Sequence, residues 1–164
     1  MLPVAQEEIN SSIDISPQYA NFEKEYREYF ATRHIKSSHY QLKSVIQKAQ
    51  QDKENEAEAI EKRLAEWEEK RPNKISMRET VRAESAFAKR AFVLAGVTKI
   101  KSVSFGKSCP YCNALDGKVI GIDQVFLKQG EFQPEGADEP LKVTSDRGHP
   151  PYHDGCDCGI MAEI

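Results

Sequence analysis

The spacing of apolar positions changes along this chain, and each change predicts an element. Tyr19, Phe22, Tyr26 and Phe30 recur at three- and four-residue intervals, an aromatic stripe on one face of a helix. Ser16-Pro17 supplies its start, an N-cap followed by proline at the first helical position, where the missing N–H costs nothing. Such a stripe is packing surface, against this chain or a neighbour. Ser38-His39-Tyr40-Gln41 has the form of a capping box and predicts a second helix from there to about residue 70. That helix is polar. Leu42, Val45, Ile46 and Ala49 make one apolar patch, Ile60, Leu64 and Trp67 another, and residues 50–56 between them contain nothing apolar. With Glu58/Lys62 and Glu66/Lys70 as i,i+4 ion pairs, it reads as a solvated spoke or a subunit contact. Arg71-Pro72-Asn73 predicts its end.

Ser76-Met77-Arg78-Glu79 is a further capping box and opens a helix expected to run to about Ala95, with Gly96 as its C-terminal cap. Val81, Ser85, Ala88, Phe92 and Ala95 form one face and Phe87, Ala91 and Leu94 an adjoining one. So much small and apolar circumference predicts a buried helix. Beyond Gly96 the period shortens to that of a strand over residues 100–105, with Ile100, Val103 and Phe105 apolar. Leu115-Asp116-Gly117-Lys118 is an Asp-Gly turn leading into Val119-Ile120, which makes a small hairpin. Residues 129–148, rich in Gly, Pro, Glu and Asp, read as a loop containing one short strand, Leu141-Lys142-Val143. A last strand over residues 158–161 is expected to pair back onto the hairpin. The fold class is α+β: long N-terminal helices followed by a small loop-rich β-knuckle. Residues 1–52 form an N-terminal arm and helices for partner contact, residues 1–15 being ordered only by that partner. Residues 53–164 form a helical hairpin plus the knuckle.

Composition narrows the function. Hydrophobic residues make up 39% and charged residues 30% of the 164, a low apolar content for a compact globule. A net charge of −3 argues against a dedicated nucleic-acid binder, which carries a basic excess. No apolar run approaches the length of a membrane span, and the first residues lack the pattern of a signal peptide. The expected setting is therefore intracellular and reducing, where clustered cysteines are metal ligands rather than disulfides.

All four cysteines lie in two short segments, Cys109-Pro110-Tyr111-Cys112 and His149-Pro150-Pro151-Tyr152-His153-Asp154-Gly155-Cys156-Asp157-Cys158. A C-x-x-C turn places two thiolates on one tetrahedral ion, and the second segment returns with further soft or borderline donors. Zn2+ in a structural role is the expected cofactor. Cys109, Cys112 and Cys156 are the first three ligands, and Cys158 or His153 the fourth, with His149 behind them. Four filled positions leave none open for catalysis. A C-P-Y-C motif also serves thiol redox chemistry, but that use needs the motif at the start of a helix within a βαβ unit. Here the following residues, Asn113-Ala114-Leu115-Asp116-Gly117, read as a hairpin turn instead. An alternative function, a zinc-braced nuclease-like enzyme of phage origin, is suggested by His149 and His153 between the cysteine pairs. It would require a metal-binding helix after Cys158, where only residues 159–164 remain.

Three stretches taken in order carry a resemblance. They are Arg78-Glu79-Thr80-Val81-Arg82-Ala83-Glu84-Ser85 followed by Ala95-Gly96-Val97, then the C-P-Y-C with Asn113-Ala114-Leu115-Asp116-Gly117, then the terminal His-Pro-Pro-Tyr-His-Asp-Gly-Cys-Asp-Cys. Over about residues 55–162 the chain resembles the C-terminal domain of the phage Mu F-like minor head proteins, the head morphogenesis family. It departs from the family in having Ser104-Phe105 where a tryptophan is frequent, and in the shortness of the region before the domain. The resemblance implies a non-enzymatic virion component, present in few copies in the capsid interior and assembled in the bacterial host cytoplasm. Its partners would be portal and capsid proteins, with self-association through the N-terminal helices and only indirect contact with DNA. It would act in head morphogenesis, DNA packaging or delivery.

Overall fold

The computed structural model describes residues 16–106 and 109–163, so the expected arm over residues 1–15 lies outside the described residues. The elements follow the order α1 (Ser16–Asp52), α2 (Glu56–Leu94), β1 (Lys99–Val103), α3 (Pro110–Asn113), β2 (Val119–Gly121), β3 (Gly130–Phe132), β4 (Leu141–Val143) and β5 (Gly159–Glu163). The protein is α+β, with two long helices before two small sheets. Among the described residues no helix is long and apolar enough to cross a membrane. The chain divides into two compact units, one of residues 17–76 and one that begins at Met77 among the described residues.

In the first unit the helix boundaries depart from the predicted ones. No helix starts at Ser38, because α1 runs through it. The Ser38 hydroxyl donates to the His34 carbonyl one turn back (2.8 Å), and the Gln41 amide donates to Ser37 Oγ (3.0 Å). Serine bonded to the i−4 carbonyl is accommodated inside a helix, so the capping-box residues serve a different purpose here. The break falls instead at residues 53–55, within the stretch expected to be continuous helix. Lys53 takes a left-handed φ of 57°, and the Glu54 N–H donates to the Ala49 carbonyl (2.9 Å), closing α1. Asn55 then caps α2, its Oδ1 accepting from the N–H groups of Ala57 (2.9 Å) and Glu58 (3.3 Å).

Pro72 does not end the helix, and Ser76 does not begin one, because α2 continues through both. A proline inside a helix removes one hydrogen bond and crowds the carbonyl four residues back, at a cost of about 3 kcal/mol. Contacts of the preceding residue offset part of that cost. The Arg71 guanidinium lies 3.9 Å over the Trp67 ring and donates to Ser38 Oγ on α1 (2.9 Å). The aromatic stripe forms with one change: the rings of Tyr19, Phe22 and Tyr26 follow one another at 6.4 and 6.1 Å, and the next ring is Tyr29 (6.2 Å), whereas the expected Phe30 packs on His34 (4.5 Å).

The second unit begins in the last turns of α2, where Ser85, Ala86, Ala91 and Phe92 are buried. Gly96 at φ 76° terminates the helix. Its N–H donates to the Val93 carbonyl (3.1 Å) and that of Val97 to Phe92 (3.0 Å), a Schellman closure of the kind the sequence predicts. The three-stranded sheet has the order β2-β1-β5 and is antiparallel throughout. Its register puts Ile120, Ile100 and Ala162 in one row and Ser102 and Ile160 in the next, on one face. Ile100 and Ser102 are fully buried, and Phe126, Leu127, Leu115, Val143 and Tyr152 complete the core. Each fully buried branched or aromatic side chain contributes about 1.5–3 kcal/mol. Residues 129–148 hold more order than the predicted loop with one strand. Gly130–Phe132 pairs antiparallel with Leu141–Val143, and Leu127 bridges Arg147.

Candidate metal centre

The sheet register brings the two cysteine segments to one end of the molecule's second unit. Val103, the last residue of β1, lies opposite Gly159, the first of β5. The chain leaving β1 therefore runs beside the chain entering β5, placing Cys109 and Cys112 near Cys156 and Cys158. Between β1 and β2 the Leu-Asp-Gly turn holds the first segment, and each of its residues has a separate task. Leu115 is buried, Asp116 Oδ1 accepts the Ser104 N–H (2.8 Å), and Gly117 adopts φ 72° while its N–H donates to the Ser102 carbonyl (2.9 Å).

The turn expected after the motif is present over residues 114–117, but the motif itself was not expected to be helical: Pro110–Asn113 forms a single helical turn with Cys109 as its N-cap and proline at its start. The neighbouring sheet is antiparallel, so among the described residues no βαβ unit of the kind thiol redox motifs need surrounds it. The turn aims Cys112 inward, where it is buried, and leaves Cys109 half-buried. In the second segment, Cys156 and Cys158 are buried as well, and the Tyr152 hydroxyl donates to Ser102 Oγ on β1 (2.9 Å). Tyr152 also packs edge-on against Phe126. These contacts fix the second segment to the sheet.

Five donors meet around Cys112. Cys109, Cys112 and His153 form one group whose ligand atoms lie within 4.8 Å of one another, and Cys112, Cys156 and Cys158 form a second. His153 Nε2 is 3.0 Å from Cys112 Sγ and 3.2 Å from Cys109 Sγ, and the sulfurs of Cys112 and Cys156 are 4.0 Å apart. His153 Nδ1 lies 2.7 Å from the Asp154 carbonyl oxygen, which can only accept; Nδ1 therefore carries the proton and Nε2 presents its lone pair to the sulfurs. The cluster could hold a metal ion. All five ligand candidates from the sequence are brought together, in two groups that share Cys112. His149 is in neither group. It is held apart, with Nδ1 donating to the Pro150 carbonyl (2.6 Å).

Electrostatics favour a cation at this point. Hydrogen bonds from the Cys112 and Cys158 thiols push the Cys156 thiol well below its ordinary value. The same sharing with Cys156, then with Cys158, and then burial push the Cys112 thiol strongly up. Three buried sulfurs so close cannot all ionise together without a positive charge among them. Cations of α2 reach toward the second segment. Arg78 Nη1 pairs with Asp154 Oδ1 (2.8 Å), and Lys89 Nζ donates to the Gly148 carbonyl (3.2 Å). Arg82 is buried and donates to Glu79 (3.2 Å). The only sequence signal for these contacts was the recurrence of basic residues on a helix that otherwise reads as core.

Comparison with family profiles, with curated proteins and with solved structures found no match for this chain. The class that fold and site define is an α+β protein with a Cys/His cluster suited to a metal ion.

Proposed function

We propose that this protein is a structural component of a phage particle, a minor head protein, and that one zinc ion pins its C-terminal unit. The observation that carries the reading is the convergence of donors from segments 41 and 44 residues apart onto the single sulfur of Cys112. A tetrahedral zinc with Zn–S near 2.3 Å and Zn–N near 2.0–2.1 Å sets S···S at about 3.8 Å and S···N at about 3.6 Å. The separations in the cluster lie within several tenths of an ångström of those values. Thiolate and imidazole donors suit zinc, and five candidates for four positions leave no coordination site for a substrate. The site is therefore structural and not enzymatic. It substitutes for a core too small to order a loop-rich unit.

The head assignment rests on the order of the motifs, now with a physical task for several of their residues. Arg78 reaches Asp154, Gly96 closes α2, Leu115-Asp116-Gly117 shapes the first turn, and the last segment supplies Tyr152, Cys156 and Cys158 to core and cluster. The portal and capsid proteins are the partners, and the N-terminal helices provide the contact, including contact between copies. Assembly takes place in the bacterial cytoplasm and ends in the capsid interior, with DNA touched only indirectly. Mass spectrometry of purified particles should find this chain at low copy with the portal protein. Native mass spectrometry of the isolated chain should give one zinc per chain. Particles lacking the chain would overturn the head assignment and leave the zinc reading standing; a chain without zinc would do the reverse.

A further inference from the structure

We infer that Arg78 is a positioning residue of the metal centre, acting through Asp154 on the imidazole of His153. The inference rests on the reading that the cluster holds a metal ion, and it adds a control element on α2 that none of the donors supplies. Three contacts form a continuous relay. The Arg78 guanidinium holds the Asp154 carboxylate at 2.8 Å. The main-chain carbonyl of the same Asp154 accepts the His153 Nδ1–H at 2.7 Å. The opposite ring nitrogen, Nε2, then faces Cys112 and Cys109 at 3.0 and 3.2 Å.

Each link restricts the next. A histidine binds a metal through one nitrogen only when the other carries the proton, and the partner of that proton sets both tautomer and ring angle. Here that partner is a main-chain carbonyl in an exposed turn, at Asp154-Gly155, where Gly155 adopts φ 77°. A turn with little packing of its own gains its orientation from whatever tethers it. Tyr111 packs against the imidazole, its ring centroid 5.7 Å from that of His153, a contact that sets no tautomer. The tether at Asp154 is the Arg78 pair, from the first turn of the second unit's share of α2. The helix that precedes the knuckle thus steers a metal ligand 75 positions further along the chain.

Cobalt titration of the full chain tests this, because tetrahedral thiolate–cobalt sites have characteristic visible absorption. Arg78→Ala and Asp154→Ala should each hold cobalt about two- to fivefold more weakly in chelator competition, the range of an exposed ion pair. Arg78→Lys should retain most of the affinity, and the charge exchange of Arg78→Asp with Asp154→Arg should restore it. Far-ultraviolet circular dichroism of the metal-free variants should match wild type, since Arg78 and Asp154 are both solvent-accessible. Unchanged competition in Arg78→Ala would overturn the inference, as would a His153→Ala spectrum identical to that of wild type. A wild-type chain giving no tetrahedral thiolate spectrum would overturn the metal reading itself, and the relay with it.

Discussion

Cys112 has a role that its place in a C-x-x-C does not reveal. Both donor groups need its sulfur, whereas Cys109, His153, Cys156 and Cys158 each belong to one. Structural zinc binding is worth roughly 10–16 kcal/mol over four ligands, so one ligand accounts for about 3 kcal/mol, or a factor of at least ~100. With zinc at this cluster as proposed, Cys112→Ser should therefore weaken metal binding by ~100-fold or more. Cys109→Ser should lose less, because a fifth donor stands by; equal losses in competition titrations would contradict the shared role. His149 makes a different prediction. Burial, assisted by Lys89 and Arg147, holds its pKa below the ordinary value of about 6.5. The folded unit keeps this imidazole neutral, so its contribution is present above that value and is lost as pH falls through the depressed one. Thermal melts should show His149→Asn, which keeps an N–H toward Pro150, losing less stability than wild type between neutrality and mild acid. Parallel pH profiles would dismiss the idea. That cysteines and histidines would cluster was legible from their spacing. Which sulfur they would share was not, because spacing says nothing about the direction in which a side chain leaves its turn.

Helix punctuation was read correctly where the signal is local and intrinsic, and misread where a contact decides. Gly96 ends α2 because a left-handed residue closes a Schellman motif wherever it occurs. The Asp-Gly turn ends the β1–β2 connection for the same kind of reason, glycine taking φ 72° at position 117. Ser38, Pro72 and Ser76 carry equally recognisable signals, yet the helices pass through all three. At Pro72, packing of Arg71 on Trp67 and its bond to Ser38 hold a geometry that the proline alone disfavours. Pro72→Ala should accordingly raise the stability of the helical unit by about 1–3 kcal/mol and increase its helical signal. A fall in melting temperature would mean that the proline is needed for a bend. The break at residues 53–55 had a readable signal after all: Asn55 with Glu58 three residues later has the shape of an N-terminal cap.

The molecule as a whole joins parts of different stabilising principle. The unit of residues 17–76 is helical and held by side-chain contacts between α1 and α2. The unit from Met77 has short strands of three to five residues and long connections, few of them able to stand alone. Removing metal with a chelator should loosen the region after Gly96 and leave the upstream helices largely intact. Limited proteolysis and circular dichroism would show new cleavage in the last third with most of the helical signal kept. Unchanged protease resistance of metal-free protein would place the stability of the knuckle in its core instead.

By itself the sequence determined the α+β class, the closure at Gly96, the Asp-Gly hairpin and the two donor-bearing segments. These depend on interactions between residues a few positions apart, which composition and spacing encode directly. Only the tertiary structure decided that α2 runs on past Pro72, that residues 130–143 form a second hairpin, that Cys112 is common to both donor groups, and that Arg78 reaches Asp154. Each of those outcomes is set by a partner far away in the chain. Long-range partners are chosen by strand register and packing together, and no local pattern of residues specifies them.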